Sequence, residues 1–162
     1  MSKPVISIIM GSQSDLETVQ GTADLLKEFS VGFEARVLSA HRTPKELAKY
    51  VEDSTKKGIK VFIAAAGGAA ALAGVVAAHT IAPVIGIPIE TSSLKGMDSL
   101  LSTVQMPAGI PVASMGIGKS GAKNAALFAL EILGASDKII AAKLLKYKDT
   151  MRANIKKIKI KV

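Results

Sequence analysis

Five short apolar runs, each followed by a polar or glycine-bearing break and then by a helix-forming stretch, leave this chain few architectures to choose from. Val5-Ile6-Ser7-Ile8-Ile9-Met10 is the first, and residues 33–38, 60–65, 82–87 and 110–117 supply the others. Helical spacing fills the intervals, notably over residues 70–79, 96–105 and 122–133, with a last helix from residue 138. Strands that alternate with helices pack as a parallel sheet covered on both faces, with right-handed connections. The expected fold is therefore α/β, a three-layer αβα sandwich. The pattern does not give the order of the strands. With 162 residues and no linker-like stretch, the chain is expected to be a single domain over residues 1–162, ending in a basic helix or tail from about residue 138.

The first strand runs directly into Gly11-Ser12-Gln13-Ser14-Asp15. Ser14 and Glu17 have the spacing of a capping box that opens the next helix. Two hydroxyls, a glycine and the free N–H groups of a helix start make a cradle suited to an anion such as phosphate. The same residues also serve a simple turn and cap, and on this segment alone both readings stand.

The second strand end carries Ser39-Ala40-His41-Arg42-Thr43-Pro44. Thr43, Pro44 and Glu46 read as N-cap, first helical residue and capping-box partner. His41 and Arg42 then lie at the carboxyl end of a strand, the edge at which open α/β sheets bind ligands. The chain has only one other histidine, His79, so few side chains are available to change charge near neutral pH. Two polar loops from consecutive parallel strands are expected to face one crevice.

Composition removes several classes. The hydrophobic share is 49% but aromatics make up only 4%, so the core must be built from Ile, Val, Leu and Ala. There is no Cys, which excludes disulfides and thiolate metal sites and fits a reducing, cytoplasmic setting. The net charge of +8 suggests nucleic acid until it is located. Residues 1–137 hold twelve basic and twelve acidic residues, whereas residues 138–162 hold nine basic and one acidic. The excess is a C-terminal feature, read as a solvated helix end, and no aromatic platform accompanies it. No nucleic-acid partner is expected. The glycine at position 11 arrives too early for a signal-peptide apolar region.

Residues 61–89 carry no charge, a length sufficient to cross a bilayer, but they contain Gly67-Gly68, Pro83 and Pro88 and are rich in Ala. Strand, glycine turn, small-residue helix and strand is the better parse, and no membrane partner is expected. Gly118-Lys119-Ser120-Gly121 lacks the leading glycine of a Walker loop. Gly67-Gly68-Ala69-Ala70 is not a dinucleotide fingerprint. No His, Asp and Glu cluster has metal-ligand spacing, and no Gly-x-Ser-x-Gly elbow is present.

Four motifs taken in order resemble those of one family: Met10-Gly11-Ser12-Gln13-Ser14-Asp15, then Ser39 to Pro44, then Ala66-Gly67-Gly68-Ala69-Ala70, and then Asp98-Ser99-Leu100-Leu101-Ser102-Thr103-Val104-Gln105-Met106-Pro107. The chain is similar, over nearly all of residues 5–133, to the bacterial-type 5-(carboxyamino)imidazole ribonucleotide mutases of purine biosynthesis, the PurE family. The resemblance implies a flavodoxin-like sheet and an isomerase that moves a carboxylate from the exocyclic nitrogen of an aminoimidazole ribonucleotide to a ring carbon. It implies a phosphoribosyl imidazole as the small-molecule partner, no cofactor and no metal, a cytoplasmic enzyme, and assembly as a homo-octamer. By motif, His41 would be the acid/base. Ser12, Ser14, Ser39 and Arg42 would bind on the phosphate side, and Asp15 would take the ribose. Gly67, Gly68, Ala69 and Ala70 would lie against the imidazole and the migrating carboxylate.

In one respect the chain departs from the family. The pattern after the double glycine is Ala-Ala-His-Leu-Pro-Gly, and here Ala71 and Ala73 stand where it has His and Pro. The related direct carboxylases, which join CO₂ to aminoimidazole ribonucleotide, tend to lack that histidine, but they differ at the other loops. A direct carboxylase and a nucleotide-binding homologue with impaired catalysis are the alternatives. His79 is expected to be a core or interface residue and no substitute, because it lies eight residues beyond Ala71, roughly 12 Å along a helix. The small-residue helices over 70–78 and 122–129 motivate the expectation of assembly, with residues 98–107 near a neighbouring subunit's site.

Overall fold

The computed structural model describes residues 3–160. Its five strands form one parallel sheet in the order β2-β1-β3-β4-β5. They are β1 (Ile6–Met10), β2 (Phe33–Val37), β3 (Val61–Ala66), β4 (Val84–Pro88) and β5 (Ala113–Ser114). Between them run α1 (Leu16–Glu28), α2 (Pro44–Lys57), α3 (Leu72–Ala78) and α4 (Met97–Val104), followed by α5 (Gly118–Gly134) and α6 (Lys138–Lys157). This is the flavodoxin-like sheet order, and it reverses direction between β1 and β3. In register, Met10 pairs with Val37 on one side and with Ala65 on the other, so the ends of three strands stop at one level.

β1 and β4 are buried throughout and β3 nearly so, as continuous apolar runs demand of strands covered on both faces. β2 is an edge, and Ala35, Arg36 and Val37 are exposed. Ile9, Phe62, Ala64 and Val84 meet Leu47 and Val51 of α2 and Leu72, Ala73 and Val76 of α3 in one core. Each large aliphatic side chain there contributes roughly 1.5–3 kcal/mol by leaving water. The one hydroxyl within β1 is also satisfied. Buried Ser7 donates to Tyr50, which donates to Glu34 Oε1 at 2.8 Å.

The structure corrects four local readings. The run over 110–117 yields only the two-residue β5, because Pro111 and the prolines and glycines around it interrupt a ladder. The capping box at the first helix is made by Ser12 and Asp15 around a 3₁₀ turn (Gln13–Asp15), not by Ser14 and Glu17. Thr43 makes no side-chain cap to α2, since its hydroxyl donates to Ser39 O at 3.1 Å and accepts from Ser39 N at 2.9 Å. Finally, α5 begins at Gly118, not Ala122. Gly121 sits so close to Gly116 that an added methyl would strike its carbonyl, which is why glycine is tolerated inside the helix.

The chain divides into two compact units, Met1–Ala129 and Leu130–Val162. The first holds the sheet. The second holds α6, whose N-cap is Asp137, accepting from Ile139 N and Ile140 N at 2.9 and 3.2 Å. The uncharged stretch over 61–89 is β3, α3 and β4, and no helix among the described residues is long and apolar enough to cross a membrane.

Candidate active site

The carboxyl ends of β1, β2 and β3 surround a cleft of about 200 Å³, lined by Gly11, Ser12, Asp15, Ser39, Ala40, His41, Ala66, Gly67, Ala69, Ala71 and Leu72. It lies where the strand order reverses, the position that this topology leaves open between diverging connections. The two polar loops expected to face one crevice do so, and the turn at Gly67–Ala69 lines it with them.

The first loop is held by its own side chains. Ser12 N donates to Asp15 Oδ2 at 3.0 Å, and the Ser14 hydroxyl donates to Ser12 Oγ at 2.9 Å. Asp15 is 7% exposed. Burial raises its pKa above the usual aspartate value, and the Ser12 amide, the Ser14 hydroxyl and the Arg42 charge offset part of that rise. A polar loop does not by itself lead to this, and the cause is that the carboxylate is buried.

The second loop is tied to the first. Arg42 Nη2 donates to the Gly11 carbonyl at 2.8 Å, and Arg42 N donates to Ser39 Oγ at 3.2 Å. His41 is exposed and lines the cleft. Of the residues expected at the site, Ser12, Asp15, Ser39, His41, Gly67 and Ala69 line the cleft. Ser14, Arg42, Gly68 and Ala70 are not among its lining residues but are joined to them by hydrogen bonds or by the chain. Gly68 has φ +67°, a left-handed conformation suited to glycine, and Ala70 is buried, its N–H donating to Gly68 O at 2.8 Å.

Ala71, where a histidine was expected from the resemblance, lines the same cleft. His79 does not; its Nδ1 lies 3.1 Å from Glu52 Oε1, and the side chain is 35% exposed, so it is a surface pair and not a core histidine. Sequence reasoning missed two contributors. Ser99, fully buried on α4, accepts from Gly68 N at 2.9 Å, and Ser102 donates to Gly68 O at 3.3 Å. Both lie in the fourth motif, whose polar spacing of three residues was the available signal. Among the described residues no group of three or more His, Cys, Asp or Glu could hold a metal ion.

Three comparisons bear on this geometry. A family model described as AIR carboxylase matches residues 5–154. The N5-carboxyaminoimidazole ribonucleotide mutase of Bacillus subtilis is 53% identical over 154 residues, covering 95% of this chain and 93% of that protein. The phosphoribosylaminoimidazole carboxylase of Ogataea methanolica is 55% identical over 136 residues, 84% of this chain but 25% of that longer protein. Among solved structures, Treponema denticola PurE superposes with a TM-score of 0.86 at 30% identity, covering 94% of each chain.

Proposed function

The chain belongs to the AIR carboxylase family, and within it we propose that it is the mutase, an isomerase converting 5-(carboxyamino)imidazole ribonucleotide to 5-amino-1-(5-phosphoribosyl)imidazole-4-carboxylate. The observation that carries this reading is the convergence of His41 with Ser12, Asp15 and the Gly67–Ala69 turn on one cleft. In the reaction the exocyclic N–C bond breaks, the ring carbon forms a C–C bond to the same carbon dioxide unit, and no electrons are gained or lost overall. The ring carbon must surrender a proton and the exocyclic nitrogen must take one up. His41 is the acid/base for both.

Ser12, Ser14, Ser39 and Arg42 take the phosphate, for which a guanidinium and hydroxyls at a helix start are suited. Asp15 takes the ribose. Gly67, Gly68, Ala69 and Ala70 lie against the imidazole and the migrating carboxylate, where the absence of bulky side chains lets backbone amides approach.

A homo-octamer belongs to the same reading, with residues 98–107 near a neighbouring subunit's site. The alanine stripe of α5 does not support it, because Ala122, Ala125, Ala126 and Ala129 are buried within the chain. Support comes instead from α4, where Met97, Leu101 and Val104 share a face and are each about half exposed. The cleft is also small, about 200 Å³ against the roughly 300–1,000 Å³ usual for small-molecule sites. A second chain would complete it. Sedimentation at working concentration tests this, and a monomer overturns it. The absence of cysteine accords with a cytoplasmic enzyme.

Ala71 favours one second reading, direct carboxylation of aminoimidazole ribonucleotide with CO₂. Purified protein assayed with the carboxyamino substrate, and separately with aminoimidazole ribonucleotide plus bicarbonate, separates the two. Turnover in the first assay alone supports the mutase; turnover in the second alone replaces it with the carboxylase. Inactivity in both overturns the reaction assignment.

A further inference from the structure

The turn at Gly67-Gly68 has no side chains with which to fix itself, and it is held from α4. Ser99 and Ser102 are three residues apart and so share a helix face. The Ser99 hydroxyl, fully buried, accepts from Gly68 N at 2.9 Å and donates its one proton to Ile89 O at 2.7 Å. The Ser102 hydroxyl shares its proton between Asp98 O at 2.8 Å and Gly68 O at 3.3 Å. The N–H and C=O of Gly68 belong to different peptide planes. One serine therefore grips the plane before its Cα and the other grips the plane after it.

We propose that Ser99 and Ser102 are positioning residues that set the facing of the two peptide planes around Gly68 and thereby aim the Ala69 amide at the reacting carboxylate. This rests on the mutase reading. In a trans peptide the N–H points opposite to the C=O of the same plane, and the described residues contain no cis peptide. With Gly68 O held by the Ala70 N–H at 2.8 Å and by Ser102 at 3.3 Å, the Ala69 N–H is directed the opposite way. Ala69 lines the cleft, and its N–H has no hydrogen-bond partner among the described residues.

Glycine at φ +67° accepts either facing of the following plane at little steric cost, so sterics do not choose; the Ala70 N–H, donating to Gly68 O at 2.8 Å, and Ser102 together hold the observed one. If that plane turned over, a carbonyl oxygen would replace the amide donor beside an anion. Donors fixed in advance where negative charge develops are a large source of rate enhancement, and a repelling carbonyl there would reverse it.

The test compares Ser102→Ala, Ser102→Thr and Ser99→Ala with the parent chain, by steady-state kinetics with the carboxyamino substrate, thermal melting and amide hydrogen exchange at Gly68 and Ala70. Ser102 is exposed, so its removal leaves the melting midpoint unchanged. Ser102→Ala is expected to lower kcat by roughly tenfold with KM within about twofold, since the phosphate and ribose contacts are untouched. Ser102→Thr, which keeps the hydroxyl, restores it. Ser99→Ala is expected to lower kcat by roughly 10²-fold and to speed exchange at Gly68. A kcat within about twofold of the parent in Ser102→Ala overturns the role of Ser102, and the same in folded Ser99→Ala overturns that of Ser99. Should Ser99→Ala not fold, the two Ser102 variants decide the proposal. Should the parent chain turn over neither substrate, the mutase reading fails, while exchange at Gly68 and Ala70 unaltered in the serine variants would still overturn the positioning of the Gly68 turn.

Discussion

Arg42 Nη2 donates to the carbonyl of Gly11 at 2.8 Å, so the loop after β2 is fastened to the loop after β1 by a charged group that spends its hydrogen bond on a neutral acceptor. The same guanidinium Nε lies 3.4 Å from Ser39 Oγ, and the side chain is exposed. A guanidinium so placed holds the cleft's rim in shape and keeps donors free for a dianion. Arg42→Lys supplies the charge but not the fork, and a bidentate contact is lost. We expect Arg42→Ala to raise KM for the ribonucleotide by roughly 10–100-fold, on the scale of one charge-assisted hydrogen bond. Arg42→Lys should recover only part of it. An unchanged KM in both variants would remove Arg42 from the phosphate side.

Asp15 gives a pH dependence with a definite sign. Its folded pKa is raised, burial being the largest cause, so the folded state holds the proton more tightly than the unfolded chain does. Stability therefore falls as pH rises from the ordinary aspartate value near 3.8 through the raised one, and the penalty is complete above it. Asn at this position keeps an oxygen for the Ser12 amide and carries no charge to bury. Asp15→Asn should melt higher than the parent at neutral pH, with the difference vanishing below the ordinary aspartate value. Its ribonucleotide affinity should fall. A melting difference that did not change with pH would show that the buried charge is not its source.

The sheet was legible in the sequence because β1, β3 and β4 are buried on both faces and so read as unbroken apolar runs, Phe62 and Ile85 among them. Strand order was not legible, since it depends on which connections cross over and no local pattern records that. The site loops could be read as residue types, as His41 and Asp15 show. Their mutual support could not. The Arg42–Gly11 bond spans 31 positions and the Ser99–Gly68 bond also 31, and such pairs are set by packing of separate elements. The Thr43 cap failed for a related reason, though Pro44 does open α2: Thr43 had a nearer partner in Ser39, and a hydroxyl satisfied there has no need of the helix end.

Gly86 in β4 faces Thr103 of α4 at close range. A methyl added there would strike Thr103 Cγ2 and lie 3.2 Å from Val112 Cγ1, and Thr103 is buried. Turning Thr103 away would break the bond its hydroxyl donates to Ser99 O at 2.7 Å. Gly86→Ala is expected to cost about 1–3 kcal/mol, as overpacking of tight cores does. Because Ser99 rides on α4, kcat should fall as well. Denaturant melts with an unchanged midpoint would refute the close approach.

His41 is the last and most direct test. The carboxylate transfer requires one proton to leave the ring carbon and one to reach the exocyclic nitrogen. A side chain that cycles between neutral and protonated forms near neutral pH can serve both steps, and histidine does this without a large perturbation. Arg42 stays charged throughout. Burial raises the pKa of Asp15, but its Oδ2 already accepts from the Ser12 amide and its neighbours pull the other way. His79 is outside the cleft, paired with Glu52. Positioned acid–base groups contribute roughly 10²–10⁴-fold, so His41→Asn should lower kcat by at least about 10²-fold. Ribonucleotide affinity should persist, because Ser12, Asp15 and Arg42 remain. Calorimetric binding alongside steady-state kinetics reads both quantities in one preparation. If turnover in His41→Asn stayed near the parent's, the proton transfers would have to pass to Asp15, and the Asp15→Asn variant would then be the inactive one.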